Sequence, residues 1–226
     1  NEDLERQFAQ QQNIHRADIV DRNGTVVATS LPTKDLDANV KNILRPRETA
    51  LELVGLFPEL KFETVYNKLK RRRGTYTIKR NLSPHQQSAV MALGNPGLEF
   101  RANEKRVYPH KNLFSHLVGS TDIDNNGVSG LEKGMDERII HSQIPVKLSV
   151  DLGVQDTVRG ILAQNMKKFR AIGATSILLD VNTGEIVAMV SLPDYDPNNI
   201  TNKDKKSLFN TAVSRVYEPG SVLKIF

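Results

Sequence analysis

Ala17-Asp18-Ile19-Val20-Asp21-Arg22-Asn23-Gly24-Thr25-Val26-Val27-Ala28-Thr29 reads as strand, turn, strand. Asn-Gly between β-branched runs is the strongest short-range hairpin signal, because both residues tolerate positive φ. Turn chemistry therefore accounts for Asn23-Gly24 without a catalytic role. Downstream the period changes. Residues 48–56 and 62–72 read as helices, the second carrying Val65, Tyr66 and Leu69 on one face before Gly74 ends it. Residues 75–80 alternate as a short strand. Ser83-Pro84-His85-Gln86 then supplies a serine cap, a proline at the first helical position and a glutamine at the capping-box position. That helix should run through Val90 and Leu93 and stop at Gly94, and residues 98–108 read as extended up to Pro109. Strands interleaved with short helices predict an α+β fold.

A boundary is expected near residues 142–145. Beyond it Asp151 can cap a helix whose Val158, Leu162, Met166 and Phe169 form an apolar stripe. Residues 174–181 and 185–191 flank Asn182-Thr183-Gly184 as a second hairpin. Its first strand holds Ile177-Leu178-Leu179, a continuous apolar run expected of a strand covered on both faces. Helix, hairpin and the loop Asp194-Tyr195-Asp196-Pro197-Asn198 read as the opening of a larger α/β domain.

Composition narrows the function classes. In 226 residues, 38% are hydrophobic and 25% charged, the balance of a globular protein. There is no Cys, so neither a disulfide nor a thiolate metal site exists. His15, His85, His110, His116 and His141 are scattered without helical ligand spacing, so no metal or other cofactor is expected. The net charge is +5 and the pI about 9.4. Its strongest local source is Lys68, Lys70, Arg71, Arg72 and Arg73, read as a solvated helix end. No stacking aromatics or nucleic-acid motif accompany it, so no nucleic-acid partner is expected. No window approaches the ~20 apolar residues of a membrane span. The start Asn-Glu-Asp-Leu-Glu reads as that of an excised fragment, which leaves room for an anchor upstream.

Tyr217-Glu218-Pro219-Gly220-Ser221-Val222-Leu223-Lys224 carries the chemistry. Pro219 and Gly220 make a turn and Ser221 opens a helix, so Lys224 lies one turn on, over the same face. A serine hydroxyl becomes a nucleophile when a neighbouring base takes its proton, and a lysine serves once burial and nearby cations neutralise it. The helix N-terminus favours the negative charge that develops during attack. Alone, Ser-x-x-Lys is a weak signal. The companion Ser-Asp-Asn and Lys-Thr-Gly motifs do not follow.

Context strengthens it. Arg16 to Gly24 resembles the R-G-x-I-x-D-R-x-G box of class B penicillin-binding proteins, with Ala17 in place of glycine. Arg106-Val107-Tyr108-Pro109, His116-Leu117-Val118-Gly119 and Gly127-Val128-Ser129-Gly130-Leu131-Glu132 are similar to the family's R-x-Y-P, H-L-x-G and G-x-x-G-[LI]-E elements. Thr183-Gly184-Glu185-Ile186-Val187-Ala188-Met189 and Pro193-Asp194-Tyr195-Asp196-Pro197-Asn198 resemble the entry to its transpeptidase domain. The residues around Ser221 are closer to the cell-division (septal) type than to the elongation type.

The resemblance implies an elongated pedestal, or dimerisation domain, over residues 1–142. It implies the incomplete start of a penicilloyl-serine transferase α/β domain over residues 143–226. It implies a peptidoglycan D,D-transpeptidase in which Ser221 is acylated and Lys224 is the general base. Partners would be D-Ala-D-Ala stem peptides, β-lactams, other division proteins and a second copy of the chain. The location would be extracytoplasmic, in the periplasm, held to the inner membrane by a single upstream span. Residues 1–226 alone are expected to be inactive, and the stretch from about Lys203 to Phe226 to be poorly ordered or repacked. Two other classes compete: a non-catalytic interaction module, and another penicillin-recognising protein such as a β-lactamase or a class A enzyme.

Overall fold

The computed structural model describes residues 16–201 and 205–216. In chain order the elements are β1 (Ile19–Val20), β2 (Val26–Asn39), α1 (Pro46–Leu56), α2 (Phe62–Leu69), β3 (Thr75–Leu82), α3 (Pro84–Met91) and β4 (Leu98–Val107). There follow α4 (Ser115–Val118), α5 (Gly130–Gly134), α6 (Asp136–His141), β5 (Val146–Lys147), α7 (Leu152–Lys168), β6 (Ala174–Leu179), β7 (Ile186–Leu192) and α8 (Thr211–Ser214). The described chain divides into two compact units. One is Leu31–Lys105; the other joins residues 16–30 to the described residues from Arg106 onward.

In the first unit β3 pairs antiparallel with β2, from Lys34 opposite Leu82 to Asn39 opposite Thr75, and β4 also pairs with β2. Pro46 suits the first turn of α1, where its missing N–H has no intrahelical acceptor. The Ser83 capping box forms as read: Ser83 Oγ accepts from Gln86 N–H at 3.3 Å, and Gln86 Oε1 accepts from Ser83 N–H at 3.0 Å. The helix expected over 62–72 stops at Leu69. The chain must turn back into β3, and Gly74 does this at φ 109°. Lys68 Nζ donates to the Thr77 carbonyl at 2.7 Å across that turn. Arg71, Arg72 and Arg73 are exposed as expected, with Arg71 over the Tyr76 ring at 4.9 Å. Leu36, Ala38, Leu53, Phe57, Val65, Leu69, Ile78, Leu82 and Val90 form the core.

In the second unit β1 lies between two partners. It is antiparallel to the start of β2, with Ile19 opposite Ala28, and parallel to β5, with Ile19 opposite Val146. This unit therefore draws strands from both sides of residue 142. The core holds Ala17, Ile19, Val27, Tyr108, Phe114, Val118, Ile139, Val146 and Val150. The turn between β1 and β2 differs from the two-residue Asn-Gly reading. Of that pair only Gly24 has positive φ, at 87°. Asp21 instead closes a wider loop: its N–H donates to Thr25 O at 2.9 Å, and its Oδ1 accepts from the N–H groups of Asn23 and Thr25, both at 2.8 Å.

The helix capped by Asp151 also forms, with Asp151 Oδ1 accepting from Val154 N–H at 3.1 Å. Val158, Leu162 and Met166 are half-buried, but Phe169 is the C-cap, past the last turn, and is 70% exposed. The buried residue of α7 is Gln155. β6 and β7 pair antiparallel as the second hairpin, with Ala174 opposite Leu192. Ile177, Leu178 and Leu179, expected to be covered on both faces, are 44%, 44% and 53% exposed. β6 belongs to a two-stranded sheet, so among the described residues its outer edge has no partner strand.

Candidate functional site

Ser221 and Lys224 lie outside the described residues. The described residues contribute the framework in which the other sequence boxes meet, all within the second unit. Arg16, on the approach to β1, places Nε and Nη2 on Glu132 Oε2 at 3.1 and 2.5 Å. Its Nη1 donates to Asp136 Oδ1 at 2.6 Å and to the Asn125 carbonyl at 2.8 Å. Arg106, from the second box, donates Nε–H to the other oxygen of Glu132 at 2.7 Å, and its Nη1 reaches the Arg16 carbonyl at 3.2 Å. Tyr108 OH donates to the same Glu132 oxygen at 3.4 Å and accepts from Thr121 N–H at 3.1 Å.

Two guanidinium groups and two carboxylates balance their charges here. Burial opposes the charge on Arg16, yet the hydrogen bonds and charges of Asp136 and Glu132 prevail and raise its pKa. Burial likewise opposes ionisation of Asp136, but bonds from Arg16 and the Gly127 N–H hold it below the usual carboxylate value. Burial, then the Glu132 charge, pushes the Tyr108 hydroxyl well above its ordinary value, so it stays a donor. This is a structural polar core. Its charges balance, as ionised groups need in order to remain buried, and of the two guanidinium groups Arg106 keeps one buried nitrogen, Nη2, without a hydrogen-bond partner.

The glycines of these boxes are there for space. A Cβ on Gly119 would lie 2.0 Å from the Ser129 carbonyl oxygen, and one on Gly127 would lie 2.0 Å from that of Glu132. A Cβ on Gly130 would meet Gly119 N at 2.6 Å. The His116–Gly119 and Gly127–Glu132 boxes therefore touch backbone to backbone.

The last box clamps onto the second. Asn198 Oδ1 accepts from Tyr108 N–H at 2.9 Å while Asn198 Nδ2 donates to Tyr108 O at 2.9 Å, an imitation of strand pairing by one side chain. Asp194 takes two bonds from Arg159 of α7, at 2.6 and 3.2 Å, and one from Asn112 Nδ2 at 3.0 Å. Gln155 is satisfied at both ends: its Oε1 accepts from Met189 N–H at 2.9 Å, and its Nε2 donates to the carbonyls of Met189 and Leu113 at 2.8 and 3.0 Å. Asp21 reaches α7 as well, accepting from Leu152 N–H at 3.2 Å. Asp136, Gln155 and Arg159 were not singled out by sequence reading. Asp136 and Gln155 lie on helices outside every box, and nothing local in the sequence marks their long-range partners.

Of the stretch expected to be poorly ordered or repacked, residues 205–216 are described, and their 210–212 portion is hydrogen-bonded to its surroundings. Asn210 Oδ1 caps α8 through Ala212 N–H at 3.1 Å, and Ser191 Oγ lies 2.8 Å from Thr211 Oγ1. Residues 217–226 lie outside the described set. Among the described residues no group of three or more His, Asp or Glu could hold a metal ion, and no helix is long and apolar enough to cross a membrane.

A fold with these boxes in this order is that of a penicillin-binding protein. The model of the penicillin-binding protein dimerisation domain matches residues 11–143, and that of the transpeptidase domain matches residues 174–226. The chain belongs to the penicillin-binding proteins. It is 31% identical to the probable peptidoglycan D,D-transpeptidase FtsI of Caulobacter vibrioides, over 93% of this chain and 36% of that protein. To the probable peptidoglycan D,D-transpeptidase PenA of Neisseria gonorrhoeae it is 32% identical, over 93% of this chain and 42% of the relative. A solved complex between penicillin-binding protein PBP2 and MreC from Helicobacter pylori shares the fold at TM-score 0.75 and 19% identity, covering 93% of this chain and 50% of that one. The chain thus spans well under half the length of these curated relatives.

Proposed function

We propose that this chain supplies the pedestal (residues 1–142) and the opening of the transpeptidase domain (residues 143–226) of a peptidoglycan D,D-transpeptidase of the cell-division type. Ser221 Oγ attacks the penultimate D-alanine carbonyl of a stem peptide while Lys224 takes its proton. The ester forms, and the terminal D-alanine leaves with a proton returned through Lys224. The amine of a neighbouring stem then resolves the ester into a crosslink. A β-lactam enters the same path and stays on the serine.

The observation that carries this reading is that the match to the transpeptidase domain runs through Ser221 and Lys224. Identity of 30–32% to proteins named FtsI and PenA supports the division type. The Helicobacter pylori PBP2–MreC complex supports other cell-wall proteins as partners, and docking through the pedestal is part of the proposal. A homodimer, and an anchor that holds this portion on the outer face of the cytoplasmic membrane, belong to the same proposal. Residues 1–226 alone are inactive in this reading. Removing even one oxyanion donor lowers an acyl-transfer rate by ~10²–10³, and more than half of each relative's length lies outside the match. The test is to treat the full-length protein with benzylpenicillin and map the adduct by peptide mass spectrometry. The adduct is expected on the peptide that contains Ser221. An adduct on another serine, or none, refutes the reading.

A further inference from the structure

The H-L-x-G box has its glycine occupied with backbone packing, but its histidine points elsewhere. His116, half-buried on α4, sits with its ring edge-on to Tyr195, centroids 5.5 Å apart. Its Nε2 lies 2.6 Å from the Ser207 carbonyl oxygen. A carbonyl only accepts, so Nε2 carries the hydrogen and donates it. The His116 carbonyl in turn accepts from Asn210 Nδ2 at 3.2 Å. One residue of α4 thus grips the 205–216 segment at two points, once through its ring and once through its backbone.

The grip continues into the sheet. Thr211 N–H donates to Ser191 Oγ at 3.1 Å, and Ser191, at the end of β7, is buried. Tyr195, against which the ring packs, is itself fixed by donation from its OH to the Ser115 carbonyl at 3.1 Å. The segment held between α4 and β7 is the one that runs on in sequence to Ser221. Nucleophile placement matters steeply in acyl transfer, where small displacements slow attack many-fold.

We infer that His116 is a positioning residue for acylation: its Nε2–H bond to Ser207 O, with the Asn210 bond beside it, fixes the segment that delivers Ser221. The inference rests on the assignment of Ser221 as nucleophile. Neither His116 nor Asn210 touches the substrate in this account.

The test uses the full-length protein and a fluorescent penicillin, with acylation followed over a range of probe concentrations to separate the binding constant from the acylation rate constant. His116→Phe keeps the ring volume and the packing on Tyr195 but removes the donor. It is expected to lower the acylation rate constant roughly three- to tenfold, the effect of one lost hydrogen bond, with little change in probe binding or melting temperature. His116→Gln offers an N–H near the Nε2 position and is expected to recover most of the rate. Asn210→Asp keeps the α8 cap, loses the donor to His116 O, and should slow acylation similarly, so the idea stays testable if His116→Phe does not fold. Wild-type acylation rates in both His116→Phe and Asn210→Asp overturn the inference. So does equal loss in His116→Phe and His116→Gln accompanied by lowered melting temperatures, since packing alone would then explain the effect. Absence of labelling in the wild type would instead refute the underlying assignment of Ser221.

Discussion

Arg16 and Glu132, 116 positions apart, meet with both side chains essentially withdrawn from solvent, Nη2 to Oε2 at 2.5 Å. Glu132 gives its other oxygen to Arg106. A single carboxylate therefore neutralises much of two buried guanidinium groups. Glu132→Ala leaves Arg106 without its only carboxylate partner among the described residues and Arg16 with Asp136 alone. Breaking a buried pair on one side costs about 3–5 kcal/mol. In a chain of this size that lowers the melting temperature by roughly 10 °C. Thermal unfolding followed by circular dichroism checks it, and a change within a degree or two would show that the network is not held by charge.

Gly119→Ala places a methyl group against the Ser129 carbonyl and also asks alanine to adopt φ 81°. Overpacking and left-handed strain together should destabilise by about 3 kcal/mol. Gly134→Ala is the control: nothing lies within 4 Å of its Cβ position, and it ends α5 without positive φ. It should be neutral or slightly stabilising. Urea midpoints of the two variants should move apart. Equal midpoints would mean that the two glycine boxes can separate without penalty.

Stability should also depend on pH in the acid range. Asp21 and Asp136 both have folded-state pKa values held below the ordinary carboxylate value. For Asp21, burial works against ionisation but the N–H bonds from Thr25, Leu152 and Asn23 prevail. A depressed folded-state value means that each carboxylate contributes fully above its unfolded pKa of about 4 and loses that contribution as pH falls through the folded value. The urea midpoint of the wild type should therefore drop below about pH 4, and the drop should be shallower in Asp136→Asn. An identical acid slope in the variant would assign the effect to other groups.

A chain ending at residue 142 tests how the two units depend on their sequence. It lacks β5 and the core residues Val146 and Val150, which complete the second unit around β1. The first unit keeps its whole core, from Leu36 to Val90. Amide exchange should stay slow in β3 and in α1 to α3 and become fast in β1. Uniformly fast exchange would mean that residues 31–105 do not fold without the remainder.

Local chemistry made much of the fold legible. The Ser83 capping box, the Asp151 cap and the 182–184 turn each act through neighbours a few residues away, and each stands where the sequence placed it. Some failures were local, as where the helix over 62–72 stops at Leu69 and Phe169 falls past the end of α7; others involved groups far along the chain. Asp21 replaced the Asn-Gly geometry with a wider loop through its own neighbours Asn23 and Thr25, and it also accepts from Leu152 N–H of α7. The apolar run Ile177–Leu179 signalled two covered faces, which a two-stranded sheet does not provide. At the candidate site the sequence marked the boxes as separate signatures. Their convergence on Glu132, and the parts of Gln155, Arg159 and Asp136, came from contacts that no spacing in the chain encodes.

In the proposed mechanism Ser221 is the residue acylated, with Lys224 as its base. The direct measurement is covalent labelling of the full-length protein by a fluorescent penicillin, comparing wild type, Ser221→Ala and Lys224→Ala at equal concentration and with matching circular dichroism. Expected are a labelled wild type, no label on Ser221→Ala, and label on Lys224→Ala reduced at least a hundredfold in rate, in the range typical of a lost general base. Wild-type labelling of folded Ser221→Ala would contradict that mechanism outright.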